Sequence, residues 1–180
     1  MILALVCSHA LILASFEASP TLRPSSRNFD ESLDEFTAIE TNRTTLIKKA
    51  VAMASDLKSN ETLRFLKVVE QANEVLVNIR RYFDAGRVMF DVNEGKSNLT
   101  ETEVIAKTQL LQEEKFMNIQ MHKLRAIYKT MYAQMEDVPK EELNMLLRPV
   151  IDALTQSDQA LTPLGQSFQI ELDKVEKTSI

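Results

Sequence analysis

The stretch LDEFTAIETNRTTLIKKAVAMASDL, Leu33 to Leu57, carries apolar side chains at Leu33, Phe36, Ile39, Leu46, Ala50, Met53 and Leu57. Steps of three, four and seven put these residues on one face of an α-helix, whereas a half-buried strand would alternate every second residue. One residue interrupts the stripe. The spacing predicts Arg43 at its edge, with the aliphatic stem on apolar surface and the guanidinium reaching water.

The same periodicity continues along the chain. A second helix is expected from Asn60, an N-cap residue type, through Phe65, Val69, Ala72, Leu76, Ile79 and Phe83, with Leu66 and Val75 widening the face. Asp84-Ala85-Gly86 reads as its stop. Val88, Met89, Phe90 and Val92 then form a short strand-like or helical piece, too apolar to be left in solvent. A third and unusually long helix is expected from about Thr100 to Glu136. Its stripe is Ala106, Leu110, Met117, Met121, Leu124, Tyr128, Met131 and Met135, flanked by Phe116, Ile119 and Ile127. At about 1.5 Å per residue it would span roughly 50 Å.

Val138-Pro139 marks the next boundary, with Pro139 suited to a first turn. Leu143, Leu146, Leu147, Val150, Ile151 and Leu154 give an apolar face, and Pro149 inside it should kink or divide the helix. Thr162-Pro163 reads as the cap and first residue of a last helix, with Leu164, Phe168, Leu172 and Val175 on one side. The expectation is an all-α fold: an antiparallel bundle of about five helices in one domain, residues 29–177, with a frayed tail at 178–180.

Composition agrees. The 180 residues include only three Gly and no Trp, and 44% are hydrophobic. That is long enough for a real core. A net charge of -5 argues against a nucleic-acid binder, which normally shows a basic stripe. The doublets Lys48-Lys49 and Arg80-Arg81 read as solvated helix surface.

The N-terminal MILALVCSHALILASFEASP is mostly apolar from Ile2 to Phe16 and ends among small residues. It is shorter than the roughly 20 residues a membrane span needs. Residues 1–19 are therefore expected to be a secretory signal peptide, and Pro- and Ser-rich 20–28 a flexible lead-in. Its removal takes away Cys7, the only cysteine, and leaves His122 as the only histidine. The expected product is secreted, extracellular and free of disulfides. Asn42, Asn60 and Asn98 each open an N-x-[S/T] triplet, so all three are expected glycosylation sites.

Chemistry finds little footing. Asp91, Asn93 and Glu101 imitate a calcium loop, but the register is one residue out and the twelfth position is Thr102. Zinc lacks ligands, since one histidine and no cysteine remain. No nucleophile motif is present, and paired acids such as Glu113-Glu114 and Glu141-Glu142 diverge by about 100° on a helix. The chain is therefore expected to be no enzyme and to need no cofactor. Met117, Met121, Leu124, Tyr128, Met131 and Met135 are read either as core or as an adaptable stripe for a lipid or partner helix. The C-terminal Thr178-Ser179-Ile180 matches a PDZ ligand, by coincidence in a secreted chain.

In NLTETE, Asn98 to Glu103, Thr100 and Glu103 make a capping box, and Thr100 also completes the sequon. This helix start resembles one in the SXP-type secreted helical proteins, and Phe36 to Thr45 is similar to the stretch ahead of it. The Trp-Ala pair expected of that family is absent. The resemblance would imply a small secreted helical protein with cation or lipid binding. The reading of the residues themselves is a secreted, glycosylated, non-enzymatic helical protein that binds an unknown extracellular partner protein. A carrier of a hydrophobic small molecule or lipid is the alternative, and a calcium-dependent module a weaker one.

Overall fold

The computed structural model describes residues 28–93 and 114–177. Helix α1 spans Phe29–Asp56. Asn28 caps it: its Oδ1 accepts from Glu31 N–H at 2.8 Å, and Asp30 and Glu31 sit in the positively polarised first turn. Leu57 N–H closes the other end on the Met53 carbonyl, and Lys58 turns the chain with φ 55°. Helix α2, Asn60–Asn93, follows at once. The Ser59 carbonyl accepts from Leu63 N–H at 3.0 Å, so Ser59 takes the cap position and Asn60 the first turn.

Helix α3 spans Glu114–Met135. After the turn at Val138-Pro139, a short helical turn, Lys140–Glu142, runs through a π-helical turn, Leu143–Leu147, into helix α4, Arg148–Lys177. The π turn stands just before Pro149, whose ring would collide with a carbonyl one α-turn earlier. A locally wider turn is where the helix absorbs that conflict, so the chain is disturbed at Pro149 without being broken.

Contacts between helices set their directions. Phe29 at the start of α1 meets Phe83 and Phe90 late in α2 and Phe168 late in α4. Mid-α1 Arg43 meets mid-α2 Asn73 and mid-α4 Ser157. Thr62, at the start of α2, donates to Glu142, just ahead of the π turn. Helix α1 is thus antiparallel to α2 and α4, and α3 rests along α2. The fold is an all-α antiparallel bundle. Its seams run at heptad-like steps of three, four and seven: Phe29, Leu33, Phe36, Arg43, Ile47, Ala50 and Ala54 on α1, and Leu147 of the π turn with Val150, Leu154, Ser157, Leu161, Leu164 and Phe168 on α4.

Several expectations are corrected. Gly86 does not stop α2. It sits inside the helix and opens a slot for the Phe168 ring: an added Cβ would lie 2.3 Å from Phe168 Cε2. Val88 to Val92 takes the helical one of its two expected forms, as a continuation of α2, but Val88, expected to pack against the bundle, is exposed. Thr162-Pro163 does not start a helix, because α4 runs through Pro163. Pro163 removes only one backbone donor, and Leu161, Leu164 and Phe168 around it are core residues that hold the helix in place. The described residues therefore form four helical rods where five were expected. The expected helix from Thr100 is described only from Glu114 onward. Met53 and Leu57, expected in the seam, are exposed; Ile47 and Ala54 take their place.

Candidate functional site

The most unusual chemistry lies in the middle of the core. Arg43 occupies a seam position of α1, seven residues after Phe36, and has no exposed surface. Its Nε donates to Asn73 Oδ1 of α2 at 2.7 Å, and its Nη1 to Ser157 Oγ of α4 at 2.5 Å. Ser157 accepts that bond while its own hydroxyl donates to the Ala153 carbonyl at 2.8 Å, which fixes its orientation. Arg43 Nη2 makes no hydrogen bond within the described residues and stands 4.0 Å from Glu40 Oε2.

Opposite charge surrounds the guanidinium. Glu40 is shared with Arg80 Nε of α2 at 3.1 Å, and Arg80 also pairs with Asp84. Asp158, buried beside Ser157, accepts from the Tyr128 hydroxyl of α3 at 2.8 Å. Burial lowers the Arg43 pKa, and Glu40, Tyr128 and Asp158 oppose that shift. Burial, followed by the charge of Asp158 and the bond to it, holds the Tyr128 pKa well above the ordinary tyrosine range. Tyr128 therefore stays a neutral donor. All four helices feed this one polar layer. Buried groups of this kind are costly unless they satisfy one another, and in this layer they largely do.

Arg43 is thus not a snorkelling edge residue. Snorkelling needs solvent within reach of the stem, and α2 and α4 close over this position from both sides. The signal was present in the sequence as an arginine within an apolar stripe, matched by Ser157 and Asp158 three and four residues beyond Leu154, where α4 calls for apolar residues. Neither feature shows by itself that the two meet.

A seam beside the layer separates α3 from α4. It is lined by Tyr128, Met131, Tyr132 and Met135 from α3 and by Ile151, Leu154, Thr155 and Asp158 from α4, and encloses about 20 Å³. That is room for about one water, against roughly 300 Å³ or more for a typical small-molecule site.

The residues singled out from sequence fall as follows. Met117, Leu124 and Met131 are buried in the core, and Met121, Tyr128 and Met135 are half-buried. The methionine stripe is therefore core over its first part and reaches the seam at Tyr128, Met131 and Met135. Asn42 and Asn60 are exposed on α1 and at the start of α2. Within the second sequon Thr62 is fully buried and donates to Glu142 Oε2 at 2.5 Å. Asp91 and Asn93 lie in the last turn of α2. Among the described residues no three acidic, His or Cys side chains gather as a metal site. Asn98, Thr100, Glu101 and the NLTETE capping box lie outside the described residues, as do Cys7 and the apolar N-terminus. His122 is exposed. No described helix is long and apolar enough to cross a membrane.

No family model matches the chain, and neither a curated protein nor a solved structure matches it.

Proposed function

We propose that this is a secreted, N-glycosylated, non-enzymatic helical bundle that binds a partner protein. The observation that carries the reading is an apolar tip at the end where α1 passes into α2. Leu57, 59% exposed, and Met53 end α1, and the π turn at the same end projects Met145, 73% exposed. Large apolar side chains left in solvent at one end of the bundle suit a protein interface, and methionine adapts to the surface it meets. π turns are frequent at functional positions. The apolar leader and the exposed Asn42 and Asn60 support the secretory part of the reading. The polar layer turns inward, toward its own members, which suits a scaffold better than a reaction centre.

The chain with its own leader, tagged at the C-terminus, should leave cultured eukaryotic cells and lose mass on treatment with an N-glycosidase. Chemical cross-linking in extracellular fluid should then trap a partner with the native protein, and fail with a Leu57→Lys/Met145→Lys variant of unchanged helicity. Retention inside the cell would end the secretory reading, and equal trapping by both proteins would remove the tip from the interface.

A further inference from the structure

We propose that an N-linked glycan on Asn60 shields the apolar tip, so that occupancy of this one sequon sets how far Leu57 and Met145 are open to a partner. The proposal rests on the reading of the tip as an interface and of Asn60 as a glycosylated residue. Asn60 is exposed and opens the first turn of α2, three residues after Leu57. The backbone holds the turn between them. Lys58 N–H donates to the Ser55 carbonyl at 3.1 Å, Ser59 N–H to the Ala54 carbonyl at 3.2 Å and Leu63 N–H to the Ser59 carbonyl at 3.0 Å. A sugar on Asn60 is thus rooted on a fixed turn beside Leu57. Met145 is tied to the same place. Thr62 donates to Glu142; Asn60 stands two residues before that bond, and Met145 three residues after it. The π turn that carries Met145 also packs against α1. An N-linked glycan is bulky and hydrated, so one rooted here lies across the exposed apolar side chains of the tip. Asn42 offers a contrast: it is exposed on α1 fourteen residues before Asp56, roughly 21 Å from that end at about 1.5 Å per residue. Thr62 is buried in the fold, but Glu142 follows it by 80 residues, so during synthesis the sequon is open before its partner has been added.

Hydroxyl-radical footprinting of the full chain, made with its own leader in cultured eukaryotic cells, tests this without any partner. Peptide masses first give the state of Asn60. In the glycosylated wild type, Leu57 and Met145 should oxidise several-fold more slowly than in Asn60→Gln, Met145 being read as its sulfoxide. Asn42→Gln should leave both rates at the wild-type value. Equal oxidation in the glycosylated wild type and Asn60→Gln would overturn the shield while leaving the glycosylation and partner readings standing. A rise of the same size in Asn42→Gln would overturn the assignment to Asn60. An unmodified Asn60 in the wild type would remove the glycosylation reading at this residue and the shield with it.

Discussion

Arg43 Nη1 and Ser157 Oγ meet at 2.5 Å in the centre of the bundle, joining α1 to α4 through a guanidinium with no exposed surface. Arg43→Ala leaves a void and strands the groups that faced it, so unfolding in urea should show a loss of about 3 kcal/mol. Arg43→Met fills most of the volume without a buried charge, and should lose about 1 kcal/mol or nothing. Glu40 keeps Arg80 as a partner in both variants. Equal losses in the two would mean that the lost hydrogen bonds to Asn73 and Ser157, and not the void, set the cost.

Tyr128 links stability to alkaline pH. Its folded pKa is raised, by burial first and by Asp158 second. The folded protein keeps a proton that the unfolded chain gives up near pH 10. The stability this contributes is complete below about pH 10 and is lost as pH rises through the higher folded value. Tyr132, raised by burial and then by Asp158, acts in the same direction. Urea midpoints at about pH 8 and about pH 10.5 should fall between the two for the wild type, and fall less for Tyr128→Phe.

Gly86 is a packing requirement in spite of its helical position. In an open helix Gly→Ala stabilises by about 1 kcal/mol. Here the new methyl would meet Phe168, which is wedged by Phe29, Phe83 and Phe90 with centroids 5.2 to 5.5 Å away. Gly86→Ala should therefore lower stability by roughly 1–3 kcal/mol. Adding Phe168→Leu should make the second change cheaper than it is alone. A double-mutant cycle with no coupling would refute the slot.

Thr62 serves two purposes at one position. It completes the Asn60 sequon, and its buried hydroxyl ties α2 to Glu142. In secreted material Asn60→Gln should remove one glycan mass and leave the denaturation midpoint of the deglycosylated protein unchanged. Thr62→Ala should remove the same mass and about 1 kcal/mol of stability. Thr62→Ser should retain both. Mass spectrometry beside urea denaturation distinguishes the three.

Much of the fold was legible in the spacing of apolar residues. Phe65 to Phe83, Leu143 to Leu154 and the three-and-four steps around Phe36 predict helices that the structure contains. The boundaries at Ser59-Asn60 and Val138-Pro139 follow from capping and proline chemistry, which act over a few residues. Gly86 and Pro163 misled for the same local reason. Each is a helix breaker in isolation, and each is overruled by residues far away in sequence: Phe168 fills the space above Gly86, and the core face of α4 carries the helix past Pro163. Met53 and Leu57 show the limit of a seven-residue stripe, since a small drift in period moves the end of the seam onto Ile47 and Ala54.

By itself the sequence determined that the chain is helical, where most of its helices begin, and which of their faces are apolar. Those properties depend on intervals of three to seven residues, within which side chains and backbone already interact. Only the tertiary structure decided that Arg43 is buried, that Asn73 and Ser157 receive it, and that Tyr128 reaches Asp158. These partners are 30 residues apart for Arg43–Asn73, 114 for Arg43–Ser157 and 30 for Tyr128–Asp158. Whether an arginine in an apolar stripe turns to water or to a neighbour depends on what packs over it. That is settled by the register between helices, which no local periodicity encodes.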